Sequence, residues 1–114
     1  MRLASVFALA AGLVSCDPQG GTSCPNDLPS GCPASPPSYA QVGPIFQTKC
    51  NSCHSAGGSA PDRLFDTYDQ IAAQQSAVLD QTYSCKMPPA GFAQLTAAER
   101  QLVLGWLVCS PLPR

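Results

Sequence analysis

The sequence predicts an all-α fold: one small domain of about three helices over residues 38–114, preceded by a Pro/Gly-rich tether. Three observations predict it. Apolar residues recur at spacings of three and four along Val42–Cys53 and Tyr68–Leu79, the period of a helix with one buried face. Helix-start signals precede two of the segments: Thr67 with Gln70, and Thr96 with Glu99, each have the spacing of a capping box. The domain itself is only about 75 residues, a size at which a bare hydrophobic core is marginal and a staple or cofactor is usual.

Composition narrows the partners. The 114 residues carry 11% charged side chains and a formal net charge of −1. Nucleic-acid binding, which needs a basic patch or stripe, is therefore not expected. Seven cysteines in so short a chain point to an oxidising compartment, to cofactor chemistry, or to both.

Residues 1–15 read as an export signal. Arg2 supplies a positive start, and Leu3–Val14 is an apolar run shorter than the ~20 residues needed to span a bilayer. Leu13-Val14-Ser15-Cys16 resembles the lipobox of bacterial lipoproteins. That resemblance implies that Cys16 is acylated and becomes the first residue after cleavage, anchoring the protein on the periplasmic side of a membrane. An ordinary signal peptide cut near a cysteine is the alternative. Cleavage removes Arg2 and Met1, which leaves a charge of −2, Met87 as the only methionine and His54 as the only histidine.

Residues 16–37 read as a disordered, lipid-anchored linker. Pro18, Pro25, Pro29, Pro33, Pro36 and Pro37, with Gly20, Gly21 and Gly31, cannot build a core. Extended, the segment reaches roughly 60–70 Å at about 3.1–3.3 Å per residue. Cys24 and Cys32 lie inside it, and a local disulfide between them is the expectation, although pairing is not deducible from sequence.

The first helix is expected to start at Gly43-Pro44, with Pro44 in the first helical position where its missing N–H costs nothing. A regular helix is not expected through Gly43, because the residue before proline avoids helical angles. This helix leads into Cys50-Asn51-Ser52-Cys53-His54. The pattern C-x-x-C-H is the attachment signature of c-type haem. Two thiols form thioethers with the porphyrin vinyl groups, and the histidine ligates the iron. Positions i and i+3 share a helix face, so both cysteines can reach one porphyrin edge. A thioredoxin-like pair needs a βαβ setting, which is missing here. A zinc site needs a second ligand pair, and the chain has no other C-x-x-C and no other histidine. Chance occurrence is the remaining alternative.

Ser55–Pro61 is a turn-rich loop, and its Gly57-Gly58 is no phosphate cradle because the rest of a Walker motif is missing. A middle helix follows the Thr67 cap and ends before Cys85. Cys85-Lys86-Met87-Pro88-Pro89 then breaks the helical pattern and forms a stiff loop carrying a thioether. A gap-filling core methionine is the bland reading of Met87. The last helix follows Thr96 and is apolar nearly all round from Leu102 to Cys109. Such a helix buries every side or keeps one for a partner.

From Ser38 to Pro113 the chain resembles the class I monohaem c-type cytochromes, through C-N-S-C-H, M-P-P and a terminal helix with Trp106. Cys85 before M-P-P and Cys109 at the helix end resemble a planctomycete-type bacterial subgroup with an extra cysteine pair. The resemblance implies a small cytochrome c-like fold wrapped around one covalently bound haem c. It makes Cys50 and Cys53 the thioether donors, His54 the proximal iron ligand and Met87 the distal one. It also implies that the first and last helices cross near Gly105-Trp106. With Cys16, Cys50 and Cys53 assigned elsewhere, Cys85–Cys109 is the expected disulfide, and two buried thiols are the alternative. The expected function is a membrane-tethered, periplasmic electron carrier. It would exchange single electrons with redox protein partners and take no small-molecule substrate. The alternative is a peroxidase-like haem enzyme or a gas or redox sensor with a displaceable Met87.

Overall fold

A computed structural model describes residues 23–114. The expected signal segment, the lipobox and Cys16 lie outside the described residues. Among those described there are four helices and no strand. They are α1 (Tyr39–Lys49), α2 (Tyr68–Ala72), α3 (Gln75–Tyr83) and α4 (Ala97–Leu107).

The helix starts follow from their caps. Ser38 N–H donates to the Gln41 side chain at 3.0 Å, which starts α1 five residues earlier than Pro44. Pro44 therefore sits inside the helix, contrary to expectation. Gly43 makes this tolerable: the clash that bars helical angles before proline is partly with a Cβ, and glycine has none. The expected capping boxes both form. Thr67 Oγ1 accepts from Gln70 N–H at 3.3 Å, and Thr96 Oγ1 accepts from Glu99 N–H at 3.1 Å. The return bonds, from Thr67 and Thr96 N–H to the Gln70 and Glu99 side chains, measure 3.1 and 2.8 Å. The single middle helix that the sequence predicts is broken at Ala73-Gln74 into α2 and α3. There the Gln74 side chain turns back to donate to the Leu64 and Gln70 carbonyls.

Helices α1 and α4 pack against each other, and Trp106, fully buried, is the hub of the core. Its ring lies about 6 Å from those of Tyr39, Phe46 and Tyr68. Aromatic pairs of this kind contribute about 0.5–1.5 kcal/mol each beyond the area they bury. The indole N–H donates to the Pro113 carbonyl at 2.7 Å, so the chain end wraps over the same hub. Gly105 does not mark the α1–α4 approach. A Cβ there would meet Pro33 and Pro37 at 3.8 and 3.7 Å, so that face of α4 receives the segment before Ser38.

The expected disordered tether is accordingly corrected for its described part. Residues 23–37 lack regular secondary structure but are fixed to the domain as an arm. Two disulfides hold it, Cys24–Cys85 and Cys32–Cys109. Both expected pairings, Cys85–Cys109 and Cys24–Cys32, are therefore overturned. The elimination behind them treated the arm as free. Laid across the ends of α3 and α4, it brings Cys24 to Cys85 and Cys32 to Cys109.

Candidate functional site

The residues singled out by the sequence meet in one cleft. Its cavity volume is about 220 Å³, it is partly open to solvent, and its lining is mostly apolar. Cys50, Cys53 and His54 line it from the turn after α1, and Met87, Pro88 and Pro89 from the loop after α3. Phe46, Phe65 and Val78, all buried, also line it, as do Lys49 and Arg63.

The C-x-x-C-H segment is not a continuation of α1 but a tight turn just beyond it. Cys50 caps the helix, and its carbonyl accepts both the Cys53 N–H (3.2 Å) and the His54 N–H (3.0 Å). This keeps near-helical spacing, so Cys50, Cys53 and His54 still share the cleft side. The chain then doubles back. Ala60 N–H donates to the Cys53 carbonyl at 2.9 Å, and Phe65 N–H to the His54 carbonyl at 3.1 Å. Gly58 is required for that reversal, since a Cβ there would stand 2.1 Å from the Cys53 oxygen. Gly57 beside it has open space. The expectation of a turn-rich loop holds, but which glycine matters depends on the three-dimensional path.

The His54 ring is held by the chain that doubles back past it. Its Nδ1 lies 2.9 Å from the Arg63 carbonyl, which can only accept, so Nδ1 carries the proton and Nε2 keeps its lone pair. The imidazole also lies against the Phe65 ring, with centroids 4.4 Å apart. Cys50 and Cys53 are unpaired, whereas Cys24, Cys32, Cys85 and Cys109 are all in disulfides. Burial pushes the Cys50 thiol up to about 11. A thiol so reluctant to ionise is a poor nucleophile at neutral pH, which argues against the thioredoxin-like alternative. Among the described residues, no group of three or more His, Cys, Asp and Glu side chains could hold a metal ion, so a protein-only zinc centre lacks its donors.

Met87 is 38% exposed and Phe92, further along the same loop, 56%. A methionine filling a core gap would be buried, so the bland reading of Met87 loses its basis. The loop is launched from the C-terminus of α3 by a reversal invisible to sequence inspection. Cys85 takes a left-handed conformation (φ 60°), a place where glycine is usual. Cys85 N–H donates to the Thr82 carbonyl at 3.1 Å, and Lys86 N–H to the Gln81 carbonyl at 3.0 Å. Those two bonds make a Schellman motif. Met87 N–H also donates to Gln81, again at 3.0 Å.

Arg100 is the residue that sequence reasoning missed. It lies on α4, in a segment read only for its apolar face, yet it is 9% exposed and saturated with partners. Its guanidinium donates to the Thr82 and Tyr83 carbonyls at 2.8 and 2.9 Å, closing the end of α3. It donates to both Asp27 carboxylate oxygens at 2.8 and 2.9 Å, and to Cys85 Sγ at 3.5 Å. The available signal was an arginine at a helix position that the apolar period assigns to the inside. Hydrogen bonds from Arg100, offset in part by desolvation, hold the Asp27 carboxyl below its usual range. Asn26 accepts from the Tyr83 hydroxyl beside it.

No protein-family model, curated protein or solved structure matches this chain. No helix among the described residues is long and apolar enough to cross a membrane.

Proposed function

We propose that the cleft holds one covalently bound haem c and that the protein carries single electrons between redox protein partners. The carrying observation is the convergence of Cys50, Cys53, His54 and Met87 on a single apolar cleft. The residues fit the group. The thiols are unpaired, as thioether formation requires, and the His54 tautomer leaves Nε2 free for the iron. The thioether of Met87, in the loop after α3, lines the same cleft and would be the distal ligand. A porphyrin supplies four nitrogens itself, so two protein ligands suffice where no protein-only metal cluster forms. The bound group supplies one-electron exchange, at a relatively high potential for His/Met ligation. The chain's part is to fix both ligands and to line the group with Phe46, Phe65 and Val78. With His54 and Met87 both holding the iron, no open position would remain for a substrate, and the role would be carriage rather than catalysis.

The test is extraction with acidified acetone after expression in a haem-attaching periplasm. Colour that stays on the polypeptide, and that a Cys50→Ala, Cys53→Ala chain loses, is the expected result. Haem that passes into the solvent from wild type, or a colourless wild type, overturns the reading. Tight carbon monoxide binding by the unaltered protein would instead favour a ligand-binding haem protein with Met87 displaced. The lipid anchor at Cys16 belongs to the same proposal, supported by the lipobox resemblance. Cys16→Ala should release the protein from the membrane fraction, and continued sedimentation with membranes would refute the anchor.

A further inference from the structure

We propose that Arg100 is the positioning residue for Met87, holding the distal-ligand loop in place by clamping the end of α3 to the N-terminal arm. The inference rests on the haem reading for the role of Met87, but the clamp is a property of this chain alone.

On its N-terminal side the Met87 loop is hydrogen-bonded to the fold through one peptide oxygen, while beyond Met87 the Gln94 side chain donates to the Pro88 and Pro89 carbonyls at 3.3 and 2.8 Å. The Gln81 carbonyl accepts from both Lys86 and Met87, so the loop's origin depends on where the last turn of α3 lies. The next two carbonyls of that turn, Thr82 and Tyr83, are the ones that Arg100 binds. Cationic donors are favoured at a helix C-terminus, where carbonyls lack helical partners. A lysine could bring the charge but not the planar fork that reaches two carbonyls and a carboxylate together.

The second half of the clamp comes from outside the domain. Asp27 receives two hydrogen bonds from the same guanidinium, and it lies in the arm, 73 residues away in sequence. Cys24 in the same arm is bonded to Cys85, the left-handed residue of the reversal. A non-glycine residue persists in that conformation only where its surroundings over-determine it. Here the disulfide and the Arg100 contact to Cys85 Sγ provide that surplus. Arg100, Asp27, Cys24 and Cys85 thus form one cluster two residues from Met87, and no member of it lines the cleft. It acts on the site only through the backbone that carries Met87.

The experiment compares wild type with Asp27→Asn, Arg100→Lys and Arg100→Gln. Two readouts are used: amide hydrogen exchange by residue, and the sulfur-to-iron charge-transfer band of the oxidised protein. Asp27→Asn alters only the exposed side of the cluster and is the variant that should fold normally. Its exchange at Lys86 and Met87 should rise about tenfold, as loss of a charge-assisted hydrogen bond predicts, while Trp106 in α4 changes little. Its sulfur–iron band should disappear at a lower denaturant concentration than helix content does. Arg100→Gln should go further in both respects, and Arg100→Lys should lie between. Unchanged exchange at Lys86 and Met87, or an equal rise at Trp106, overturns the proposal, because Arg100 would then serve general stability. The exchange contrast is read with or without haem. A wild type lacking the band therefore defeats Met87 as a ligand without deciding the clamp, which the exchange contrast decides separately.

Discussion

The two walls of the cleft, Phe46 to Phe65 and Gln74 to Phe92, are each a single run of chain, but they are held in place differently. On the His54 wall each contact is short in sequence: Cys50 to His54, Cys53 to Ala60, His54 to Arg63 and Phe65. On the Met87 wall Gln94 ties the loop locally to Pro88 and Pro89, but the loop's origin is anchored through Cys24 and Asp27 in the arm, Gln81 to Tyr83 at the end of α3, and Arg100 on α4. Local contacts close small loops at little entropic cost, and long-range ones depend on the whole fold being in place. The His54 wall should therefore survive perturbations that release Met87. In an electron carrier this would put the adjustable part of the site on the side of the distal ligand.

The largest effect expected from this contrast comes from the disulfides. Cys24–Cys85 spans 61 residues and Cys32–Cys109 spans 77. By chain-entropy reasoning each constrains the unfolded chain by about 4 kcal/mol, more than the ~3 kcal/mol of a bridge from Cys85 to Cys109. Cys24→Ser with Cys85→Ser should lower the denaturation midpoint by a corresponding amount. It should also loosen the Met87 wall first, because Cys85 loses one of its two restraints. Cys32→Ser with Cys109→Ser should cost a similar free energy and leave the early loosening absent. Non-reducing peptide maps decide the pairing beforehand, and a Cys85–Cys109 peptide would refute this account of the wall. Equal loosening in both double variants would remove the asymmetry between the two staples.

A second expectation concerns the local wall, where a single methyl group should matter. In Gly58→Ala the new Cβ would meet backbone atoms of Cys53, which cannot swing aside as a flexible side chain would. Overpacking of this kind costs about 1–3 kcal/mol. The loss should appear at the turn proposed to hold the haem, as incomplete attachment at Cys53 in mass spectra. Gly57→Ala adds its methyl to open space and is the control, expected within about 0.5 kcal/mol of wild type. If the two alanine variants match, the reversal after His54 is not held by close packing.

The same contrast explains what was legible in the sequence. The helical class, the caps at Thr67 and Thr96 and the break at Cys85-Lys86-Met87 are written in neighbouring residues, and each is found. Cys50, Cys53, His54 and Met87, which the sequence motifs point to, all line one cleft. The arm was misread because composition reports what a segment cannot do alone. Its prolines cannot build a core, but they can lie on one, as Pro33 and Pro37 do against Gly105. The disulfide pairing failed with the arm, since pairing follows proximity in space. Arg100 was passed over because a charged residue among apolar ones is legible only once its partners are known. The left-handed Cys85 was hidden because the position lacks the glycine that would mark it.

The smallest effect lies in the pH dependence of the arm. Hydrogen bonds from Arg100, and more weakly its charge, lower the Asp27 carboxyl from its ordinary value of 3.8. A carboxyl lowered on folding contributes stability that is present above its ordinary value and lost as pH falls through the folded one. Wild type should therefore hold its full Asp27 contribution at neutral pH and lose it in acid, below pH 4. The Asp27 side chain is 32% exposed, so solvent screening limits the contribution to about 1 kcal/mol. Glu99 is also lowered, first by the Thr96 N–H and less by Lys49, so it adds to acid loss in the same direction. The difference between wild type and Asp27→Asn cancels that second contribution. Measured by denaturant unfolding, that difference should be about 1 kcal/mol at pH 7 and should shrink toward zero near pH 2. The Met87 wall should carry the change, with the sulfur–iron band of wild type weakening in acid before the α4 helix signal. A difference that stays constant with pH would mean that Asp27 holds the arm by shape, with its charge contributing nothing.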